Sequence, residues 1–180
     1  MKARRYENLT REVRRIQAKR ILEVGTCRGR NAALMMKAGG VEYFGFDLFE
    51  APPENELSAN RQPDAFEAVK ERLGAYGKVR LFKGNTRQTL PVCGVKDIDL
   101  AFIDGGHSDE TVRSDFEAIV PMMRHGGVIL LDDYWNYGEG GCNALVDSLE
   151  GFEVTFLEPV DQFEKPYGTL RTQIVRVVAR

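Results

Sequence analysis

Ile98-Asp99-Leu100-Ala101-Phe102-Ile103 runs into Asp104-Gly105-Gly106-His107, and one helix-length segment later Val128-Ile129-Leu130-Leu131 runs into Asp132-Asp133-Tyr134. Each short apolar run reads as a buried strand. Strand, helix and strand in one sheet make a right-handed crossover unit. Both acidic clusters then fall on the same edge of a parallel sheet, outside the carboxyl ends of the strands, where open α/β sheets bind ligands. Three carboxylates and an imidazole gathered there are costly to desolvate unless a cation, a ligand or water compensates them. That cost points to function.

Outward from this unit, the pattern repeats. Arg20 to Val24 reads as a first strand, Arg30 to Ala38 as a helix stopped by Gly39-Gly40, and Val41 to Phe46 as a second strand ending in Asp47. Leu48 to Pro63 is long and rich in proline for a connection, which marks it as a functional loop or a disordered one. Helical spacing at Phe66, Val69, Leu73 and Tyr76 is followed by a third strand, Lys78 to Phe82, and a short helix or turn ending at Pro91. Ser108 is placed to cap the crossover helix, whose buried stripe runs through Val112, Phe116, Ile119, Val120 and Met123. A helix at Asn143 to Leu149 and strands at Phe152 to Leu157 and Thr172 to Val178 complete the chain. Alternating strands and helices predict a three-layer α/β sandwich.

The 180 residues, 43% of them hydrophobic, suffice for one well-buried core and are short for two, so a single domain over residues 1–180 is expected. A net charge of −2 gives no general reason for nucleic-acid binding. Residues 1–20 nevertheless hold eight Lys or Arg against two Glu, leaving the remainder near −8. Residues 1–19 are expected to form a basic helix packed on the domain or projecting from it. Its Tyr6, Leu9, Val13 and Ile16 would face the sheet and its arginines the solvent, or the arm would touch nucleic acid, anionic lipid or another subunit. No stretch approaches a membrane span, and no apolar leader follows the charged N-terminus, so a cytoplasmic protein is expected. Cys27, Cys93 and Cys142 are odd in number and far apart, which predicts reduced thiols. A dimer is compatible with so small a domain.

The glycine turn Gly25-Thr26-Cys27-Arg28-Gly29, directly after the first strand, lets backbone N–H groups approach a ligand closely. It lacks the spacing of the dinucleotide fingerprint. Asp47, closing the second strand, is placed to accept the two hydroxyls of a ribose. With Glu23 two residues before Gly25, this turn resembles the first motif of the class I S-adenosylmethionine-dependent methyltransferases, with Cys27 where a glycine is often found. The resemblance implies a Rossmann-like methyltransferase fold with an antiparallel last strand and S-adenosylmethionine as cofactor. It places Glu23, Gly25, Thr26, Cys27, Gly29, Asp47, Asn85 and Asp104 around that cofactor, Asn85 or its backbone near the adenine.

Within that class, the two acidic clusters resemble those of the macrocin-type and cephamycin-type O-methyltransferases and are similar to those of catechol O-methyltransferase. The resemblance implies Asp104, Asp132 and Asp133 as ligands of a divalent cation, commonly magnesium. Catechol-type enzymes carry an amide at the position of Asp133 and a lysine at that of His107. A cation held by hard oxygen ligands would orient a hydroxyl and acidify it. His107 and Asp104 are the expected catalytic pair, with the imidazole removing the proton near neutral pH before the oxygen attacks the sulfonium methyl in line. Tyr134, Trp135 and Tyr137 would wall the acceptor site or pack within a loop. The acceptor expected is a small-molecule hydroxyl. Methylation of RNA through the basic arm and a catalytically silent cofactor-binding module are the alternatives. Against base amino methylation, the fourth strand has no Asn-Pro-Pro-Tyr or Asp-Pro-Pro-Tyr signature.

Overall fold

The computed structural model describes residues 4–49, 66–137 and 140–179. Most of the long loop expected from Leu48 to Pro63 lies outside them. Among the described residues, seven strands form one sheet in the order β3-β2-β1-β4-β5-β7-β6. They are β1 (Arg20–Val24), β2 (Glu42–Asp47), β3 (Lys78–Lys83), β4 (Ile98–Ile103), β5 (Met123–Trp135), β6 (Phe152–Lys165) and β7 (Gly168–Ala179). The pairs from β3 to β5 are parallel, and β7 runs antiparallel to both β5 and β6. The chain turns outward in both directions from β1 and β4, so the turns after these two strands face each other across the switch in strand order.

Alternation along the central strands divides the core. Leu22, Phe44, Ala101, Ile103, Ile129 and Leu131 point to one face, under α5 (Asp109–Ile119) and α6 (Asn143–Val146). Ile21, Tyr43, Leu100, Phe102, Val128 and Leu130 point to the other, under α1 (Glu7–Arg15), α2 (Arg30–Ala38) and α3 (Phe66–Gly74). Sheets covered on both faces produce near-continuous apolar strands, which is why these runs were readable. The remaining helix, α4 (Thr86–Thr89), is a single turn capped by Asn85. Ser108 caps α5 by accepting from the Thr111 N–H. This helix ends earlier than its apolar period suggested. Pro121 lies in a 3-10 turn at Val120–Met122, and its missing N–H breaks the α-helical ladder.

The carboxyl-terminal strands are longer than expected. Glu158 to Arg171 is the outer arm of a β6–β7 hairpin that pairs as far as Lys165 with Gly168. Most of β6 is exposed or half-exposed, so this arm has little hydrophobic alternation to reveal it.

Candidate active site

The glycine turn lies at the carboxyl end of β1. Gly25 has φ +89°, and a Cβ there would collide with the carbonyl oxygen of Asp104 at the end of β4. Only glycine permits so close an approach of the two strand ends. The Asp104 N–H donates to the Val24 carbonyl at 2.9 Å, and the Gly25 N–H to that of Phe46 at 2.8 Å, fixing the turn between β4 and β2. Cys27 adopts φ +48°, the left-handed conformation that a glycine would take without strain. Gly29, at φ +67°, begins α2.

Asp47 accepts from the Cys27 N–H and the Phe49 N–H, both at 2.7 Å, and so ties the end of β2 to the turn. Glu23 is fully buried beneath it. Tyr43 donates its hydroxyl to Glu23 Oε2 and lies 2.9 Å from Thr26 Oγ1, forming a chain from the buried acid to the turn. Burial pushes the Glu23 carboxyl up to about 8 against the opposing hydrogen bond from Tyr43. Asn85 turns its side-chain oxygen to the Arg87 N–H at 2.9 Å.

Adjacent residues of a regular strand point to opposite faces, yet Asp132 and Asp133 act together. From Leu131 to Tyr134 β5 advances three residues while β7, from Val175 to Gln173, advances two. The extra residue is a bulge, and Asp133 takes φ +58° within it. The bulge re-aims Asp133, so that oxygens of Asp104, Asp132 and Asp133 lie within 4.8 Å of one another. His107 Nδ1 is 3.1 Å from Asp133 Oδ2. All four residues expected to form the chemical site are therefore together.

Two further residues belong to this cluster, and they come from the N-terminal arm. Arg5 Nε lies 2.7 Å from Asp132 Oδ1, and Nη2 lies 3.0 Å from Asp132 Oδ2 and 3.2 Å from Asp133 Oδ1. Its Nη1 is 3.1 Å from Asp161 Oδ2 on β6. Tyr6 donates to Asp132 Oδ2 at 2.8 Å and reaches Asp104 Oδ2 at 3.4 Å. The expectation that the arm's arginines stay solvated fails at Arg5, whose side chain is 8% exposed. The acids at the strand ends supply the counter-charge that makes its burial tolerable. Signals for Arg5 existed only indirectly, in a cluster of acids too numerous for one imidazole to balance.

The electrostatics follow from burial and charge. Burial alone would lower the Arg5 pKa, but the hydrogen bonds and charge of Asp132 outweigh it and hold the guanidinium firmly protonated. Burial, then the charges of Asp104 and Asp132, raise the Tyr6 phenol, keeping it a donor. Asp133 is pushed above the usual carboxylate range by burial and by Asp132, against His107 and Arg5. Burial likewise keeps the Cys142 thiol protonated, and Cys93 and Cys142 are buried free thiols.

Three hard carboxylates have the chemistry of a magnesium site, but their arrangement here does not fit one. Both oxygens of Asp132 and Oδ1 of Asp133 face Arg5, Oδ2 of Asp133 faces His107, and Tyr6 spans Asp132 and Asp104. The Arg5 guanidinium takes up both oxygens of Asp132 and one of Asp133, oxygens on which a divalent ion would have to draw.

The aromatic residues after the acids divide their roles. Tyr134 packs on Phe156 with its hydroxyl donating to Asp147, and Tyr137 packs on Tyr167. Trp135 alone of the three lies near the imidazole, with ring centroids 6.2 Å apart. A cavity of about 320 Å³ opens beside it, lined by Trp135, Asn136, Val160, Arg171 and Thr172 among others. Thr172 Oγ1 is 3.4 Å from Asp133 Oδ1, which connects this cavity to the acid cluster.

A glycine turn on β1 and an acid ending β2, on a mostly parallel sheet whose strand β7 runs against its neighbours, are the features of the class I S-adenosylmethionine-dependent methyltransferases. The profile of a family described as a methyltransferase domain matches residues 22–134, and the chain belongs to that family. It is 26% identical over 121 residues to catechol O-methyltransferase of Mycobacterium tuberculosis. That match takes in 66% of this chain and 49% of the relative, so the chain spans about half the relative's length. Among solved structures, the O-methyltransferase TomG of Streptomyces achromogenes in complex with S-adenosylmethionine is similar at a TM-score of 0.67 and 18% identity, covering 100% of this chain and 82% of that one. The O-methyltransferase of Bacillus cereus in complex with S-adenosylhomocysteine gives 0.64 and 18%, covering 99% and 82%. A Clostridium thermocellum chain designated an rRNA-methylase gives 0.68 and 12%, covering 100% of both. At these identities the likenesses show the shared fold. Among the described residues, no helix is long and apolar enough to cross a membrane.

Proposed function

We propose that the chain transfers the methyl group of S-adenosylmethionine to the hydroxyl of a small molecule, with His107 as general base. One observation supports this most: the space where Gly25 would carry a side chain is filled by the backbone of Asp104. The turn suited to the cofactor thus abuts the strand end that begins the acid–imidazole cluster. With Nδ1 facing Asp133 Oδ2 at 3.1 Å, the imidazole would present Nε2 as the acceptor. Nε2 takes the hydroxyl proton as the oxygen bonds to the methyl carbon. The methyl–sulfur bond breaks, its electron pair returns to sulfur, and S-adenosylhomocysteine leaves as a neutral thioether. The proton then passes from His107 to water. Trp135 and the adjoining cavity would hold the acceptor with its hydroxyl beside the imidazole.

Asp104, Asp132 and Asp133 are the residues that would hold a divalent cation, whose contribution would be to orient and acidify the hydroxyl. With Arg5 docked on them, proton removal by His107 and methyl transfer proceed through the protein's own groups. The RNA alternative is weakened because three of the arm's arginines are spent internally. Arg5 is buried on the acids, Arg11 bonds Asn8 and the Glu158 carbonyl, and Arg15 pairs with Glu12.

The test is calorimetry with S-adenosylmethionine, followed by turnover on a panel of phenols and sugars. Asp47→Ala is expected to weaken cofactor binding by about tenfold to a hundredfold, the size of one or two hydrogen bonds to a charged group. Unchanged affinity would refute the assignment of Asp47 to the ribose.

A further inference from the structure

We propose that Arg5 is the resident cation of the acid cluster, a positioning residue that occupies the place of a divalent metal and excludes one while the N-terminal arm is docked. Three observations lead there. The guanidinium meets Asp132 through two parallel hydrogen bonds and reaches Asp133 and Asp161 with its remaining nitrogens, leaving the side chain almost wholly buried. This bidentate fork is the strongest geometry an arginine makes with a carboxylate. Second, the arm is built to hold it there. The backbone N–H groups of Arg4 and Arg5 donate to Asp161 at 2.8 Å and 3.3 Å, and the Tyr6 ring lies 4.5 Å beneath the guanidinium carbon. Third, two of the carboxylates it engages, Asp132 and Asp133, belong to the group of three whose oxygens could converge on a metal, and the neighbouring Tyr6 hydroxyl reaches the third, Asp104.

Two cations within a few ångströms repel strongly in so buried a place. Metal and arm therefore compete for one site. Arg5 also does by hydrogen bonding what a metal would do by coordination: it holds Asp132 and Asp133 side by side at the bulge. Asp133 in turn keeps its second oxygen on His107. Arg5 touches neither cofactor nor acceptor on this reading; it acts through Asp133. Its occupancy of the acids stands on the geometry alone, whereas its bearing on the reaction rests on the methyl transfer proposed above.

The experiment titrates Mn²⁺ alone into the full chain, followed by the electron paramagnetic resonance of the free ion and by calorimetry. Wild type is expected to show no specific site at millimolar Mn²⁺. Arg5→Gln should gain one, binding at least about tenfold tighter, because a positive charge has been removed from beside three carboxylates. The double variant Arg5→Gln/Asp132→Asn should lose that site again. Where Arg5→Gln fails to fold, Asp161→Asn replaces it, since this change loosens the arm without touching the three acids and should give a smaller gain. A wild-type chain that binds Mn²⁺ as tightly as the variant would overturn the proposal, and so would the absence of any gain. Turnover abolished by EDTA and restored by Mg²⁺ in wild type would also overturn it. Failure of wild type to bind S-adenosylmethionine would instead defeat the functional reading, leaving a Mn²⁺ gain in Arg5→Gln to stand by itself.

Discussion

Replacing His107 with alanine is expected to cut the methyl-transfer rate by about two to four orders of magnitude, the range of a positioned general base. Cofactor affinity should stay within about twofold, since an interaction made only in the transition state leaves ground-state binding intact. The reasoning is local. His107 lies three residues beyond Asp104, in the turn that leads to α5, and its carbonyl accepts the Gly141 N–H at 2.8 Å, so its backbone is held independently of its ring. Alanine removes the ring without releasing the turn. What disappears is the acceptor for the hydroxyl proton, and a neutral hydroxyl is a poor nucleophile. Asp133 loses its imidazole partner at the same time, but Arg5 and Thr172 still bind its other oxygen. The fold should persist, and a melting curve checks it. The comparison variant is His107→Gln, which keeps hydrogen bonding but cannot take up a proton in the working pH range. It should be nearly as slow as alanine. Full turnover in either variant would remove His107 from the role of base.

The sequence made the centre of the sheet readable because β1, β4 and β5 are covered on both faces and have almost no polar interruptions. Asp104, His107, Asp132 and Asp133 were readable for the same reason, since a charged residue ending such a run has few structural uses. Their mutual geometry was not. Asp132 and Asp133 are adjacent in a strand, and period-two reasoning sends them to opposite faces; only the bulge and the left-handed backbone of Asp133 reunite them. Arg5 and Asp161 were invisible for another reason. They pair across 156 positions of sequence, and nothing local distinguishes Arg5 from the other cations of a basic arm. Composition offered a hint, in that an arm of net +6 is attached to a remainder near −8. Charge totals cannot say which side chain goes inside. The resemblance places Glu23 beside the cofactor, and in the structure it accepts from Tyr43, through which it reaches Thr26.

That chain leads to the second large effect, on stability against pH. The Glu23 carboxyl is fully buried, and burial raises its pKa from 4.5 to about 8. Below the lower value the side chain is protonated in both folded and unfolded chains, and its contribution to stability is complete. As pH rises beyond 4.5 the unfolded chain releases this proton while the folded chain retains it, so stability falls. The fall continues until the folded carboxyl also ionises near 8. Each unit of pKa difference corresponds to about 1.4 kcal/mol, so the loss across the window is roughly several kcal/mol. Glu23→Gln preserves the shape and an oxygen to accept from Tyr43, but has no proton to lose. The two proteins should therefore have similar stabilities near pH 4.5 and diverge steadily up to pH 8, with glutamine the more stable. Urea titrations of both proteins at half-unit pH steps measure the difference directly, because every other titrating group is shared and cancels. Parallel curves would mean that Glu23 is ionised in the folded protein at neutral pH. The buried acid under the glycine turn would then carry a full negative charge, compensated by the hydrogen bond that Tyr43 donates.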